Sequence, residues 1–263
     1  MEESGVGMRV SFIDVGKGDC ILLQSGQSAA LIDTGYDCTS GDVLDHLRES
    51  GVDHLDFVII THYDRDHVGG VRAIGGALAI GAIYLPSYEG ADKNYRTLLS
   101  AIEDLGLASR RVDQVLPLAL GDAALSVYPS DVEFVPDAKG NEGNDNDLSL
   151  VTALTCGADT FMFTGDLEED GIRAYLRVGH GRFDVLKVPC HGDKCAYTEE
   201  FLEEVQPRIA VVTDSKDDPA AKKTLKLLAK RGADVYRAST NGTVVVESDG
   251  AGSYTVSCET PAK

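Results

Sequence analysis

The chain has 263 residues, 43% hydrophobic and 25% charged, which suits a globular protein able to bury a sizeable core. Its 24 basic residues against 43 acidic ones leave a net charge of −19, a field that repels polyanions and argues against a broad nucleic-acid-binding surface, though not against a local basic patch. No apolar run approaches the roughly 18 residues that span a bilayer, and the acidic start Met1-Glu2-Glu3-Ser4-Gly5 lacks a secretory signal's basic and apolar regions, so a cytoplasmic protein without membrane attachment is expected.

In chain order, strands come first. Arg9 to Asp14 is a short apolar run. Cys20 to Gln24 and Ala29 to Asp33 are two more, joined by the hairpin-like turn Ser25-Gly26-Gln27-Ser28. Asp42 to Glu49 sets Val43, Leu44 and Leu47 at helical spacing, and Gly51 follows as a stop signal. Phe57 to Ile60 is a continuous apolar run, the pattern of a strand buried on both faces. A helical stretch follows Gly69-Gly70, then a strand at Ala82 to Leu85 before Pro86. Tyr95 to Leu105 reads as a helix with Leu98, Leu99, Ile102 and Leu105 on one face. Short strands are expected near Val112 to Leu116 and Ala124 to Tyr128.

Pro136 to Asp147, rich in Gly, Asn and Asp, reads as a loop. A second hairpin follows, Leu148 to Thr155 and Thr160 to Thr164 around Cys156-Gly157-Ala158-Asp159. Like the first, it ends in an Asp beside a Gly: Asp33-Thr34-Gly35 there, Gly165-Asp166 here. Strands at Asp184 to Val188 and Ile209 to Thr213 then alternate with helices at Thr198 to Val205 and Ala220 to Lys230, and Val235-Tyr236 and Thr243 to Glu247 close with strands. Strands followed by strand–helix alternation, twice over, predict an α/β fold, with sheets sandwiched between helices in one domain over residues 1–263 and the two hairpins in different sheets or halves. The six cysteines, Cys20, Cys38, Cys156, Cys190, Cys195 and Cys258, form no CxxC pair and read as reduced thiols, mostly buried in strands.

The densest chemistry is His62-x-Asp64-x-Asp66-His67, four potential metal ligands within six residues, directly after the buried strand. A strand, a tight turn and a helix start converge side chains on one point. Imidazole nitrogen and carboxylate oxygen suit zinc, manganese or iron, and four such groups suit a pair of ions. The competing reading is a polar surface turn, in which Asp and His are common. Asp166 lies where the apolar Phe161-Met162-Phe163 runs out at a sheet edge, either as a ligand or as the N-cap of a helix from Leu167.

The segment Thr61-His62-Tyr63-Asp64-Arg65-Asp66-His67-Val68-Gly69-Gly70 resembles the HxHxDH signature of the metallo-β-lactamase superfamily, with Asp64 at the second histidine. That variant resembles the hydrolase domain of ComEC/Rec2-type DNA-uptake proteins and their free-standing relatives. Phe12-Ile13-Asp14-Val15-Gly16-Lys17-Gly18-Asp19 is similar to the opening FxDVGQGD, Leu31-Ile32-Asp33-Thr34-Gly35 to LIDTG, Asn146-Asp147-Leu148-Ser149-Leu150-Val151 to N-x-x-SLV, and Phe163-Thr164-Gly165-Asp166-Leu167-Glu168 to FTGDLE. Lys187-Val188-Pro189-Cys190-His191-Gly192-Asp193 resembles LKVxHHGS, with Cys190 at the first histidine and Asp193 at the serine.

The resemblance implies an αββα sandwich of two mixed sheets with two divalent metals, zinc or manganese, at one edge. His62 and Asp64 would hold one metal, Asp66, His67 and His191 the second, and Asp166 would bridge them. Asp66 and Asn146 are the candidate catalytic residues. Asn146 either touches the metal or substrate or merely shapes its turn, and Cys190 is either a soft ligand or packing. Asp14 or Asp33 is expected to fix the tautomer of a ligating histidine from behind, with Gly16, Gly18 and Asp19 as a supporting turn. His46, His54 and His180 lie outside every motif and read as surface residues.

The activity implied is metal-dependent hydrolysis of a phosphodiester, as a nuclease or a small phosphodiesterase. The charge weakens the case for polynucleotides, which keeps another small ester or lactone in play. A decayed metal- or partner-binding module is the alternative of another class, motivated by Cys190 and Asp193. No protein partner is evident. The chief basic feature, Lys222, Lys226 and Lys230 at four-residue spacing, reads as the solvated face of a helix.

Overall fold

The computed structural model describes residues 7–136 and 143–260. In chain order the strands and helices are β1 (Met8–Phe12), β2 (Ile21–Ser25), β3 (Ser28–Ile32), α1 (Ser40–Glu49), β4 (His54–Leu55), β5 (Phe57–Ile59), α2 (Arg65–Val68), α3 (Val71–Ala77), β6 (Ala79–Ile80), β7 (Ile83–Pro86) and α4 (Lys93–Asp104). Next come β8 (Ser109–Val112), β9 (Leu116–Leu120), β10 (Ala123–Tyr128), β11 (Val151–Cys156), β12 (Asp159–Phe163), α5 (Glu169–Val178) and β13 (Val185–Lys187). The chain closes with α6 (Thr198–Val205), β14 (Ile209–Val212), α7 (Lys222–Lys230), β15 (Asp234–Arg237), α8 (Ala238–Asn241), β16 (Val244–Ser248) and β17 (Tyr254–Cys258).

Two large mixed sheets form the centre. The first has the order β17-β16-β1-β2-β3-β5-β7-β8 and the second β15-β14-β13-β12-β11-β10-β9, with β4 and β6 paired apart. Each runs antiparallel through its hairpin, β2–β3 or β11–β12, and then parallel through strands linked by helices. The two hairpins therefore do occupy different sheets, and their shared ending puts Asp33 and Asp166 at equivalent strand ends.

Alternation along the strands explains the layers, since successive side chains face opposite ways. Phe12, Ile21, Ile59, Leu125, Phe161, Phe163 and Val211 belong to one buried cluster between the sheets; the rings of Phe12 and Phe163 meet across it at 6.2 Å. Leu22, Leu31, Val58 and Ile60 point the other way, against Val43 and Leu47 of α1, Ile74 of α3 and Leu98 and Ile102 of α4. On the far side, Met162, Leu186 and Val212 pack against Ile172 of α5, Phe201 and Leu202 of α6 and Leu227 and Leu228 of α7. The order is helix, sheet, sheet, helix, which is why Phe57 to Ile60 is apolar without a break: both its faces are covered.

Four expectations change. The strand expected at Val112 to Leu116 is a crossover, because Val112 ends β8 in the first sheet and Leu116 begins β9 in the second. Leu148, expected to open a strand, instead ends a 3-10 turn over Asp145–Leu148. Cysteines are less strand-bound than expected: Cys156 and Cys258 are in strands, and only Cys20, Cys156 and Cys190 are buried. The structure also adds α5 and β17. Half of the loop expected at Pro136 to Asp147, residues 137–142, lies outside the described residues.

Candidate metal centre

Strand ends bring the site together. β5 delivers Thr61 and His62, and the chain turns at once into α2, with Asp64 at its N-cap and Asp66 and His67 in its only turn. β12 runs out through Gly165 into Asp166. β13 leads into Pro189-Cys190-His191-Gly192, where Cys190 and His191 adopt left-handed backbone conformations, φ 45° and 50°. Non-glycine residues there cost on the order of 1–2 kcal/mol each, so the surrounding packing must hold this turn in place.

Of the six side chains expected as ligands, four form one tight group and His62 and Asp64 lie beside it. His191 Nε2 lies 2.8 Å from Asp166 Oδ2 and 3.3 Å from Asp66 Oδ2. His67 Nε2 is 3.5 Å from Asp166 and 3.6 Å from Asp66. Beside this group, the His62 and His67 rings are 4.1 Å apart and His62 Nε2 is 3.6 Å from Asp64 Oδ2. Asp66, His67, Asp166 and His191 each offer a ligand atom within 4.8 Å of the other three.

The Nε2 atoms of His62, His67 and His191 are all buried without a hydrogen bond of acceptable geometry, although carboxylate oxygens lie 2.8–3.6 Å away. Buried polar atoms rarely go unpaired, and three aimed into one cluster of carboxylates leave room for a cation. The donor set, imidazole nitrogen and carboxylate oxygen, fits a divalent transition metal.

Behind the cluster the other ring nitrogens are held. His67 Nδ1 meets Asp33 Oδ2 at 2.8 Å, and Asp33 also accepts from the Thr61 amide and hydroxyl at 2.8 and 2.7 Å. His62 Nδ1 lies 3.1 Å from Thr61 Oγ1. His191 Nδ1 lies 2.9 Å from Thr213 Oγ1, which donates to Asp19 Oδ1 at 2.7 Å. Each contact fixes a tautomer that leaves Nε2 free to ligate. Asp33 fills the supporting role expected of Asp14 or Asp33; Asp14 does not, because its carboxylate accepts from the Gly16 amide instead. Thr213 had no sequence signal of its own, and Lys187 stood in the LKVxHHGS-like segment with no role expected of it.

Lys187 is fully buried, with Nζ 2.7 Å from Asp19 Oδ2 and 3.1 Å from Asp166 Oδ1. Burial alone would raise the Asp166 pKa; His191, Lys187 and His67 outweigh it and hold Asp166 ionised. The same contest leaves Asp66 at about 2, with burial opposed by His67 and His191. Burial lowers the His191 pKa, and Asp166 more than reverses that, raising it to about 9.

Asp166 is not a helix cap, since α5 begins at Glu169 with Glu168 at its N-cap. Asn146 donates from Nδ2 to Glu168 at 3.0 Å, while its Oδ1 is buried without a partner. The turn is tied by Asn144, which bonds the Val135 amide and the Glu133 carbonyl. The sulfur of Cys190 lies 3.5 Å from Glu168, outside the six-residue cluster. Asp193 pairs with Lys17 at 2.7 Å. Among the unassigned histidines, His54 is exposed and His46 and His180 are partly buried; His180 stacks on Tyr175.

Residues 13–235 match the family model described as Metallo-beta-lactamase superfamily. The chain belongs to that superfamily. It is 27% identical to ComE operon protein 3 of Bacillus subtilis (strain 168) over 257 residues, covering 89% of this chain and 32% of that protein. The chain thus spans about a third of that relative's length, and the likeness bears out the ComEC-type resemblance. Among solved structures, the metallo-beta-lactamase fold protein YhfI from Bacillus subtilis matches with a TM-score of 0.60 at 16% identity, covering 92% of this chain and 99% of that one. A diphosphatase from the PhnP family matches with a TM-score of 0.53 at 15% identity, covering 92% and 98%. Fold and superfamily mark the chain as a metal-dependent hydrolase, and the clustered imidazoles and carboxylates fit divalent metal ions.

Proposed function

We propose that this superfamily member hydrolyses phosphodiesters with two divalent ions, zinc or manganese, held by His62, Asp64, Asp66, His67, Asp166 and His191. The observation that carries the reading is the set of three buried, unpaired imidazole nitrogens, two of them in one group with Asp66 and Asp166 and the third, of His62, beside Asp64. Asp66, His67, Asp166 and His191 lie close enough together to hold one ion; His62 and Asp64, 3.6 Å apart, would hold the other, with Asp166 shared between the two. Divalent ions, when bound, lower the pKa of water from about 16 towards neutrality and stabilise charge on a phosphoryl oxygen.

The chain's own residues do the rest. Asp33, Thr61, Thr213 and Asp19 orient the imidazoles. Lys187 keeps Asp166 ionised and in place. Asp66, held as a carboxylate by His67 and His191, offers a charged oxygen to the ion position and is the candidate to orient the attacking water. A phosphoryl substrate is in keeping with the diphosphatase among proteins of the same fold, and the phosphodiester itself is what the ComEC-type resemblance implies. A decayed module is disfavoured, since both motif departures, Cys190 and Asp193, have partners outside the six-residue cluster.

The test is a substrate panel on protein loaded separately with zinc and with manganese: bis(p-nitrophenyl) phosphate, single- and double-stranded DNA, a lactone and a thioester. Turnover of phosphodiesters above the other classes is expected. Turnover confined to the lactone or thioester would reassign the substrate, and no turnover with either metal would favour the decayed module.

A further inference from the structure

Tyr63 stands between two of the expected ligands, His62 and Asp64, and its buried ring leads to a second tyrosine. Tyr88, in the loop between β7 and α4, packs against it with ring centroids 4.7 Å apart, and Phe134 stacks on Tyr88 at 5.0 Å. The backbone is tied as well: the Tyr88 carbonyl accepts from Arg111 Nη1 at 2.6 Å and from the Tyr63 hydroxyl at 3.3 Å. Two residues on, a Cβ added at Gly90 would stand 2.7 Å from Tyr95 Cβ and 3.0 Å from Tyr63 Cδ2. The loop is thus pressed onto the rings, and Tyr88 is fixed between two aromatic neighbours.

A side chain held this firmly ends in a polar atom without a partner. The Tyr88 hydroxyl is buried and makes no hydrogen bond of acceptable geometry among the described residues, whereas a buried tyrosine hydroxyl normally finds one. The other two hydroxyls of the aromatic group are bonded: Tyr63 donates to the Pro86 carbonyl at 2.9 Å, and Tyr95 accepts from Arg111 at 2.5 Å. The surroundings of the Tyr88 hydroxyl place it at the metal cluster. Burial first, then Asp145, Tyr63 and Asp64, push its pKa well above the ordinary phenol value, and the Tyr63 amide, in the backbone between His62 and Asp64, pulls the other way. A phenol beside carboxylates keeps its proton, so Tyr88 presents an O–H donor next to the His62–Asp64 part of the site.

We infer that Tyr88 is a further catalytic residue, whose hydroxyl donates a hydrogen bond to a non-bridging phosphoryl oxygen of a phosphodiester seated at the His62–Asp64 ion position. This deepens the proposed phosphodiesterase reading and rests on it. The phenol stays neutral throughout and no proton changes hands. A donor already fixed in place costs no reorganisation when water attacks, and its bond strengthens as charge gathers on the oxygen it faces. The unpaired hydroxyl then has a partner in the substrate complex that the free chain does not supply.

The experiment compares the parent with Tyr88→Phe, which removes the hydroxyl and keeps the ring, and with Tyr95→Phe, which removes a bonded hydroxyl from the same aromatic group. All three are loaded with the same metal, and metal content and melting temperature are measured on each. Turnover of bis(p-nitrophenyl) phosphate gives kcat and KM. Calorimetric titration with orthovanadate, which takes up the five-coordinate geometry of phosphoryl transfer, reads the contact without turnover.

Tyr88→Phe should lower kcat about a hundredfold and weaken orthovanadate binding at least about tenfold, the loss expected of one transition-state donor. Its KM should stay within about twofold, as for an interaction made only in the transition state, with metal content and melting temperature held. Tyr95→Phe should melt lower and keep kcat within about twofold of the parent, because the hydroxyl it loses is paired inside the protein. Metal lost from Tyr88→Phe would mean that the hydroxyl serves Asp64 rather than substrate. An equal rate loss in Tyr95→Phe would mean a packing effect, and unchanged kcat and vanadate affinity in Tyr88→Phe would leave the hydroxyl idle. Each of these overturns the inference. Turnover by the parent separates the two failures: where the parent turns over, such results sink only the role of Tyr88, and a parent inactive with both metals sinks the reading beneath it.

Discussion

At Asp166 three side chains that carry positive charge meet one carboxylate: His191 at 2.8 Å, Lys187 at 3.1 Å and His67 at 3.5 Å. Replacing Asp166 by Ala should therefore abolish hydrolysis and lower metal content, because both ion positions lose the group between them. Asn146→Ala removes a neutral amide that contacts Glu168, and losing one such donor costs at most about two to three orders of magnitude in rate. Rates, metal content and melting curves on both variants decide this. An Asp166→Ala protein that keeps both metals and most of its activity would contradict the assignment.

His191 gives the pH prediction. In the metal-free chain Asp166 raises its pKa to about 9 from 6.5, so it is protonated at pH 7, whereas a ligating imidazole must be neutral. Metal uptake at pH 7 should therefore release protons, and affinity should climb as pH rises towards 9. Stability runs the other way. The folded pKa exceeds the unfolded one, so this group's contribution is complete below about 6.5 and is lost as pH rises through 9. Calorimetric metal titrations in two buffers of different ionisation enthalpy read the protons; identical apparent enthalpies would refute the release.

Among the elements, the hairpin exit at Gly165 is a tight joint at the site itself. Its φ is +52°, and an added Cβ would stand 2.8 Å from Thr61 Cβ and 2.9 Å from Ser149 Cβ. Gly165→Ala combines a left-handed backbone penalty with overpacking, about 2–4 kcal/mol together. Urea unfolding should show that loss along with weaker metal binding; an unchanged midpoint would mean that the neighbours give way.

Such joints explain what the sequence disclosed and what it hid. The buried strand before His62 and the two hairpins were legible because both sheet faces are covered and turn residues mark the ends. The crossover at Asp113-Gln114-Val115 was not, since apolar Val112, Val115 and Leu116 mimic one strand while Val115 stands 53% exposed. Helix α5 was masked by Gly171, which interrupts its apolar face. That glycine is a packing necessity, since a Cβ there would meet Leu167 at 2.5 Å and the Asp147 carbonyl at 2.8 Å. β17 alternates at half burial on a sheet edge, and the Asp249-Gly250 turn before it was its only strong signal.

Across the whole molecule, the six clustered ligand candidates were legible because four crowd into one motif and two sit at glycine-marked strand ends. Their support was less so, since it is assembled from residues far apart: Thr213 and Asp19 join 194 positions across the chain. Both sheets contribute to one hydrophobic cluster, which favours one cooperative unit over two. The most direct test of the account is a metal titration of the metal-free protein, with bis(p-nitrophenyl) phosphate turnover read at each step for manganese and for zinc. The account predicts that turnover rises to a plateau at about two equivalents per chain with at least one of the metals. A plateau at one equivalent, or no turnover at any ratio, would contradict it.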